Sequence, residues 1–378
     1  MTPRTEESRS LAREPSGGIL RGRSADARAL LSRRAVVVGA VLGFPVSLAL
    51  LMLSLQHLDG AKLKASLGGA NVGALMLAVA VMAVVYLVQA DRWRVIAVAP
   101  GVPLVRFAEW VVGAVAVNNV LPGRAGDILR SEWLARSAGK PRTSAVSSVV
   151  VDRGFDVVTL VAMLGLTYPF VPHPRWLNDF WIVGGSLGVV VSIVFIAAAL
   201  YARRGRTSVA RGVRARLAEV AHGAGSVLRG RLVLKIAVRS ALAWTAWAVS
   251  AWLVASSLGI ALTPLEVLFV TAVLNLGVAI PSSPGFIGTY QWLGVSALGN
   301  LGVGHADAFA FSVLMHAAWY LPTTFVGVVL ALRKVPPAVA GALATKEFRV
   351  PRARAAGRGS APSGLTGSVS PTQRARDQ

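Results

Sequence analysis

The chain has 378 residues, 54% of them hydrophobic and 15% charged, with a mean hydropathy of +0.60. A soluble globular chain is about 45–50% apolar and about a quarter charged, so a water-soluble multidomain enzyme is excluded. Lys and Arg number 39 against 17 Asp and Glu, a net charge of +22, and the basic residues stand between long apolar stretches. That placement fits the positive-inside rule and anionic lipid headgroups, so no nucleic-acid partner is expected. With no cysteine, disulfides and thiolate metal sites are excluded.

The first 34 residues are polar and basic, a preamble too long for the n-region of a signal peptide. They are expected to be a disordered cytoplasmic tail before an uncleaved first span, Ala35–Leu55. Further runs long enough for about 30 Å of hydrocarbon are Asn71–Ala90, Ser144–Val171, Trp181–Tyr201, Lys235–Leu258 and Phe309–Leu332. Two more apolar stretches are broken. Phe107–Leu121 runs into Pro122-Gly123, and Leu265–Ile280 runs into Pro281-Ser-Ser-Pro284-Gly285 before resuming as Phe286–Val303. Residues 205–231 repeat apolar positions at steps of three and four between arginines, as in a basic amphipathic helix on the inner leaflet. The stretch 334–378 is rich in Arg, Pro, Gly and Ser and is expected to be a mostly disordered cytoplasmic tail.

Orientation follows from the basic residues. Five segments (the N-terminal tail, 91–106, 122–142, 203–235 and the tail from Arg333) hold 34 of the 39 Lys and Arg. The expectation is a multi-pass protein of the cell membrane, all-α, with six to eight transmembrane helices and both termini cytoplasmic. Each half then reads as two spans, a broken segment and a third span, so the flippase-like region 35–333 is expected to be two inverted repeats with re-entrant segments at 107–121 and 265–303. Broken segments at matching places in inverted halves mark a transporter's substrate site. The alternative is eight full spans, with both parts of 265–303 crossing.

The densest polar cluster is Asn118-Asn119-Val-Leu-Pro122-Gly123-Arg124-Ala-Gly126-Asp127-Ile-Leu-Arg130. Two Asn at the end of an apolar segment must line a wet cavity or satisfy freed backbone groups. Gly126 allows close backbone approach, and the three-residue step from Asp127 to Arg130 puts that pair on one helical face. Arg124 and Arg130 offer planar forks suited to phosphate oxygens; the bland reading is a solvated loop obeying topology. Next, Asp152, Arg153 and Asp156 lie inside an apolar run, which marks a functional site in a membrane span. The bland reading there is a helix start with Arg153 snorkelling to the interface.

Taken in order, Asn-x-x-x-Pro-x-Arg-x-Gly-Asp-x-x-Arg, then Asp-Arg-x-x-Asp, then Pro284-Gly285 with Gly285-x-x-Gly288, resemble the lysylphosphatidylglycerol synthase transmembrane region, the flippase-like half of the MprF proteins. The resemblance covers Ala35 to Arg333 and implies a headgroup pathway through Pro281, Pro284, Gly285 and Gly288 as well. It also implies Glu where Gln291 stands and Arg where His316 stands, so a charged couple is replaced here by a neutral one, which avoids an unpaired buried charge.

Other signals carry less. Gly184-x-Ser186-x-Gly188 lacks the strand a hydrolase elbow needs, the five His show no metal-ligand spacing, and no phosphate-binding Gly-Lys-Ser/Thr loop occurs. Trp93, Trp110 and Trp176 are read as interface anchors. Neither a metal nor another cofactor is expected. The leading expectation is movement of an anionic phospholipid or lipid-linked headgroup without ATP. The rivals are a headgroup transferase using Asp152 or Asp127 as base, and a non-transporting partner of a lipid synthase or glycosyltransferase. The resembling synthases transfer aminoacyl groups in a separate soluble domain, and 45 residues beyond Arg333 are too few for one, so enzymatic activity is not expected.

Overall fold

The computed structural model describes residues 43–56, 58–121, 124–180, 230–278 and 283–334, and all regular structure among them is helical. In chain order the helices are α1 (Gly43–Leu55), α2 (Gly60–Gly68), α3 (Val72–Ala97), α4 (Leu104–Val120), α5 (Ala125–Ser137), α6 (Arg142–Thr167), α7 (Arg175–Phe180), α8 (Gly230–Ser257), α9 (Pro264–Gly277), α10 (Thr289–Asn300) and α11 (His305–Lys334). The expected span 181–201 and most of the amphipathic helix 205–231 lie outside the described residues, as do both tails, Pro122 and Pro281.

Among the described residues α3, α8 and α11 are long and apolar enough to cross a membrane. The chain is an all-α polytopic membrane protein. Helix starts are written locally. Asp59 Oδ1 accepts from the amides of Ala61 and Lys62, Asn71 Oδ1 accepts from Ala74, and Thr263 with Glu266 forms a reciprocal capping box ahead of Pro264. Each cap satisfies backbone donors that nothing else at the helix end would reach.

The described elements repeat in order: a long helix (α3, α8), a pair of short helices (α4–α5, α9–α10) and another long helix (α6, α11). The short helices have 17, 13, 14 and 12 residues, each below the about 20 needed for a complete crossing. In each pair the two members pack against each other as a hairpin. α3 and α8 make the most extensive helix contact, and α9 packs on α6.

Two expected boundaries move. The span expected to end at Ala90 continues to Ala97, carrying Asp91, Arg92 and Arg94 inside the helix. These charges belong there because each is paired: Asp91 accepts from Arg94 at 2.8 Å and from Arg239 of α8 at 2.6 Å. Lys140 donates to the carbonyls of Ala97 and Val98, closing the end of α3. The stretch expected to run as Phe286–Val303 is interrupted by a one-turn 3-10 helix, Pro284–Phe286, and resumes only at Thr289.

Gly126 fixes how close α5 comes to α4. A Cβ there would lie 1.9 Å from the carbonyl oxygen of Ala114, a backbone atom that cannot step aside. Gly126→Ala should therefore separate the hairpin and lower the detergent-extracted monodisperse fraction, at an overpacking cost of about 1–3 kcal/mol. Gly68→Ala, where a Cβ meets nothing within 4 Å, should extract like the wild type. Equal yields for both would show that the α4–α5 contact does not need a glycine.

Candidate functional site

Asn118 sits in the last turn of α4 and reaches across the break. Its Oδ1 accepts from the Gly126 amide at 2.8 Å, capping α5 from outside. Asn119 turns the other way, its amide donating to Thr324 at 2.8 Å and Thr323 at 3.3 Å on α11. Asn118 thus satisfies a group freed by the break, whereas Asn119 ties the end of α4 to α11 and its Oδ1 is left buried without a partner among the described residues. A Cβ on Gly285 would sit 3.2 Å from the Asn119 carbonyl and 2.7 Å from the Tyr320 ring, so the turn opening the second hairpin lies against the end of α4. Gly285 has φ +72° and Gly288 φ +91°, conformations natural only to glycine. A Cβ on Gly288 would strike the Ser47 carbonyl of α1 at 2.1 Å. Ser47 in turn accepts from the Ser283 amide, which places Pro284 at the head of a held turn.

The charged residues close into a ring. Asp152 accepts from Arg92 at 2.9 Å and from Arg130 at 2.9 Å. Arg130 also donates to Asp127 at 3.0 Å, and Asp127 accepts from Arg153 at 2.8 Å. Arg153 reaches Asp156 at 3.2 Å, and Asp156 returns to Arg92 at 2.7 Å. Three Arg and three Asp alternate, each touching two of opposite sign, and the sum is neutral. Arg92 and Arg130 are 1% and 2% exposed. Ser240 and Trp244 of α8 add hydrogen bonds from the far side, Ser240 accepting from Arg92 at 3.0 Å and Trp244 donating to Asp156 at 3.1 Å. The guanidinium of Arg130 also lies 4.8 Å over the Trp93 ring.

This arrangement corrects three expectations. Arg130 is not a free fork for phosphate, because two of its nitrogens are committed to Asp127 and Asp152. Trp93 and Trp110 are core residues rather than interface anchors. They are buried together with Phe107 in edge-to-face contact, and Trp93 donates to Ser148 at 3.1 Å. Trp176 is half-buried against Trp292 and donates to Ser296 at 2.7 Å. Arg92 went unread in the sequence because it followed a complete apolar run and resembled the start of a cytoplasmic loop. Its one signal was Asp91 beside it, an acid at the edge of a span.

Beside the ring lies a cavity of about 220 Å³. One wall carries Asn118, Asn119, Arg124, Asp127, Arg153 and Asp156; the other is aromatic, with Trp244, Trp247, Phe286, Tyr290 and Trp319, joined by Tyr86 and Asn275. Arg124 has a left-handed backbone, φ 54°, ψ 39°, at the head of α5. It is exposed while lining the cavity, so the cavity reaches the surface there. Among the described residues no ion pair or hydrogen bond engages Arg124, which leaves one surplus positive charge beside a neutral ring. Gln291 and His316 lie behind the aromatic wall. The Gln291 Oε1 accepts from the Gly288 amide at 2.7 Å, so its amide nitrogen faces His316 Nδ1 at 3.0 Å. The two positions are in contact as a neutral couple, and His316 stacks on Trp319. Further out on α5, hydrogen bonds from Arg142 and Arg136 hold the Glu132 carboxyl below its ordinary value. Among the described residues no cluster of His, Asp and Glu suits a metal ion.

Removing one member of the ring should be costly. Asp152→Asn leaves Arg92 and Arg130 short of a carboxylate, and breaking a buried pair costs about 3–5 kcal/mol. Pairing it with Arg130→Gln restores charge balance and should recover part of the folded yield. A double-mutant cycle on thermal unfolding in detergent measures the coupling. Strict additivity of the two substitutions would show that the ring is not an energetic unit.

The sequence family described as Lysylphosphatidylglycerol synthase TM region matches residues 36–327. A glycosyltransferase, AglD of Haloferax volcanii, is 26% identical over 336 residues, covering 77% of this chain and 53% of its own length. The chain thus spans about half the length of that relative. The UPF0104 membrane protein MJ1078 of Methanocaldococcus jannaschii is 21% identical over 219 residues, 57% of this chain and 92% of that protein. No solved structure matches the chain.

Proposed function

The chain belongs to the lysylphosphatidylglycerol synthase TM region family, and we propose that it carries the phosphate-bearing headgroup of a membrane lipid between leaflets of the cell membrane without ATP. The observation that carries this reading is Arg124, without an ion pair among the described residues, at the open end of a cavity bordered by a ring whose own charges cancel. A phosphodiester brings one negative charge, and a guanidinium meets its oxygens with two parallel donors. The paired short helices support a pathway, since non-helical backbone at membrane depth is tolerated where it lines a cavity. In this reading the two halves are inverted repeats, both termini are cytoplasmic, and Arg124 takes its lipid from the cytoplasmic leaflet.

A transferase using Asp127 or Asp152 as base fits less well. Each of these carboxylates already bridges two guanidiniums, so neither presents a free oxygen to a substrate proton. A second reading draws on the glycosyltransferase named among the relatives: half of that protein's length lies outside the match, and the present chain would handle the lipid substrate for such an enzyme.

Transport is checked with the full chain in vesicles carrying a fluorescent short-chain phospholipid. Arg124→Glu should abolish movement and Arg124→Lys should keep part of it. Loss of one charge-assisted contact, about 1.5–3 kcal/mol, corresponds to roughly ten- to a hundredfold. Arg136→Lys, on an exposed pair with Glu132, should move lipid normally. A wild-type rate in Arg124→Glu would remove the phosphate site.

Orientation has its own check. Reporters fused after Arg333 and inserted near Arg211 should respond as cytoplasmic, and one placed between Gly60 and Ala70 as external. An external C-terminal reporter would overturn the assigned direction.

A further inference from the structure

The aromatic wall of the cavity has chemistry of its own. Its rings are continuous, with centroids 5.5 Å apart for Trp244–Trp247, 6.3 Å for Trp247–Trp319 and 6.1 Å for Tyr290–Trp319. Four polar atoms on this lining are buried without a well-formed hydrogen bond among the described residues: the indole nitrogen of Trp247 and Asn119 Oδ1, and the Trp319 indole nitrogen and Tyr290 hydroxyl, which lie within interaction range of each other. The four residues are 7%, 6%, 0% and 2% exposed. Buried polar groups of this kind are ordinarily satisfied.

The identity of these atoms decides between ligands. An indole N–H only donates, and so does an ammonium. A primary ammonium would set donors against donors, and any cationic headgroup, a quaternary ammonium included, would add its charge to the surplus of Arg124. The acids that could attract a cation, Asp127 and Asp156, are already bridged within the ring. A hydroxyl-bearing ring meets the whole set: its oxygens accept from the indoles and from Tyr290, one of its hydroxyls donates to Asn119, and its C–H face lies on the aromatic planes. About 220 Å³ is below the about 300 Å³ at which pockets for drug-sized ligands begin, which suits one such ring.

We propose that the aromatic wall is a subsite for an uncharged polyhydroxyl headgroup the size of one sugar, attached to the lipid phosphate that Arg124 holds. This rests on the phosphate reading above and narrows its substrate class to a monosaccharide or cyclitol carried on a lipid phosphate.

The test compares lipids on the purified full chain by native mass spectrometry. The probes are phosphatidylinositol, a polyprenyl phosphate bearing one hexose, phosphatidic acid, phosphatidylethanolamine and phosphatidylcholine. Either polyhydroxyl lipid should be retained at least tenfold over phosphatidic acid, and neither amine lipid should exceed it; preference for only one of the two identifies the source as cyclitol or sugar. Trp247→Phe and Trp319→Phe keep the rings but delete the donors, and should narrow the ratio of polyhydroxyl lipid to phosphatidic acid by about tenfold. Equal retention of the wild type for phosphatidylinositol, the hexosyl lipid and phosphatidic acid overturns the subsite while leaving the phosphate site standing. Tighter binding of either amine lipid overturns it in favour of a cation. No retention of phosphatidic acid, or retention that Arg124→Glu does not reduce, defeats the phosphate reading itself.

Discussion

A charge buried in a membrane protein must be cancelled within reach, and that requirement organises this molecule. Arg92 of α3, Asp127 and Arg130 of α5, and Asp152, Arg153 and Asp156 of α6 satisfy it as a closed ring. Taking an ion out of water costs several kcal/mol even after relaxation, and attraction repays this only where geometry is good and the remaining donors are met. Two partners for every member meets most of that condition, Arg130 Nη2 being buried without a partner among the described residues, and Ser240 and Trp244 extend the network to α8. Three helices of the first half and one of the second must be in register for it to close, whereas apolar packing alone would tolerate sliding.

The short helices depend on the same frame. Their ends release backbone donors and acceptors at depth, and side chains from neighbouring elements take them up: Asn118 for the amide of Gly126, Ser47 for the amide of Ser283, Gln291 for the amide of Gly288. Close approach at Gly126 and Gly288 leaves no room for a side chain, so the turns are held by contact with α4 and α1 rather than by loop stiffness. The two hairpins meet where Gly285 touches Asn119, and the cavity opens beside that contact.

Much of this was legible in the chain. Asp152, Arg153 and Asp156 in an apolar run announced a polar seam, and Pro-Gly breaks announced short helices, because both violate what lipid tolerates. The Gln291–His316 contact was legible as a matched departure from a family pattern. What the sequence hid was long-range. Asp152 meets Arg92 sixty residues earlier, and nothing local says that Arg92 is core and not loop. Arg124 and Arg130, six residues apart, looked equivalent; only the fold spends Arg130 on two carboxylates and leaves Arg124 without one. The aromatic wall was invisible for the same reason. Trp244, Trp247, Phe286, Tyr290 and Trp319 come from three separate stretches, and tryptophan in a span reads first as an anchor.

The difference between the two ends of the cavity bears on how a carrier could release what it binds. If both ends held unpaired charge, a phosphate would be trapped, since sites along a pathway must attract enough to admit and little enough to let go. Among the described residues the surplus charge beside the cavity is that of Arg124, where the cavity meets the surface. The far side is aromatic, backed by the neutral Gln291–His316 pair. On the proposed function, a headgroup entering at Arg124 would trade one ionic contact for several neutral ones as it moved inward, each worth about 0.5–1.5 kcal/mol. Exchange between unlike contacts of similar total strength keeps the wells shallow. An arginine in place of His316 without an acid at Gln291 would add a second, uncompensated charged well, which the neutral couple avoids.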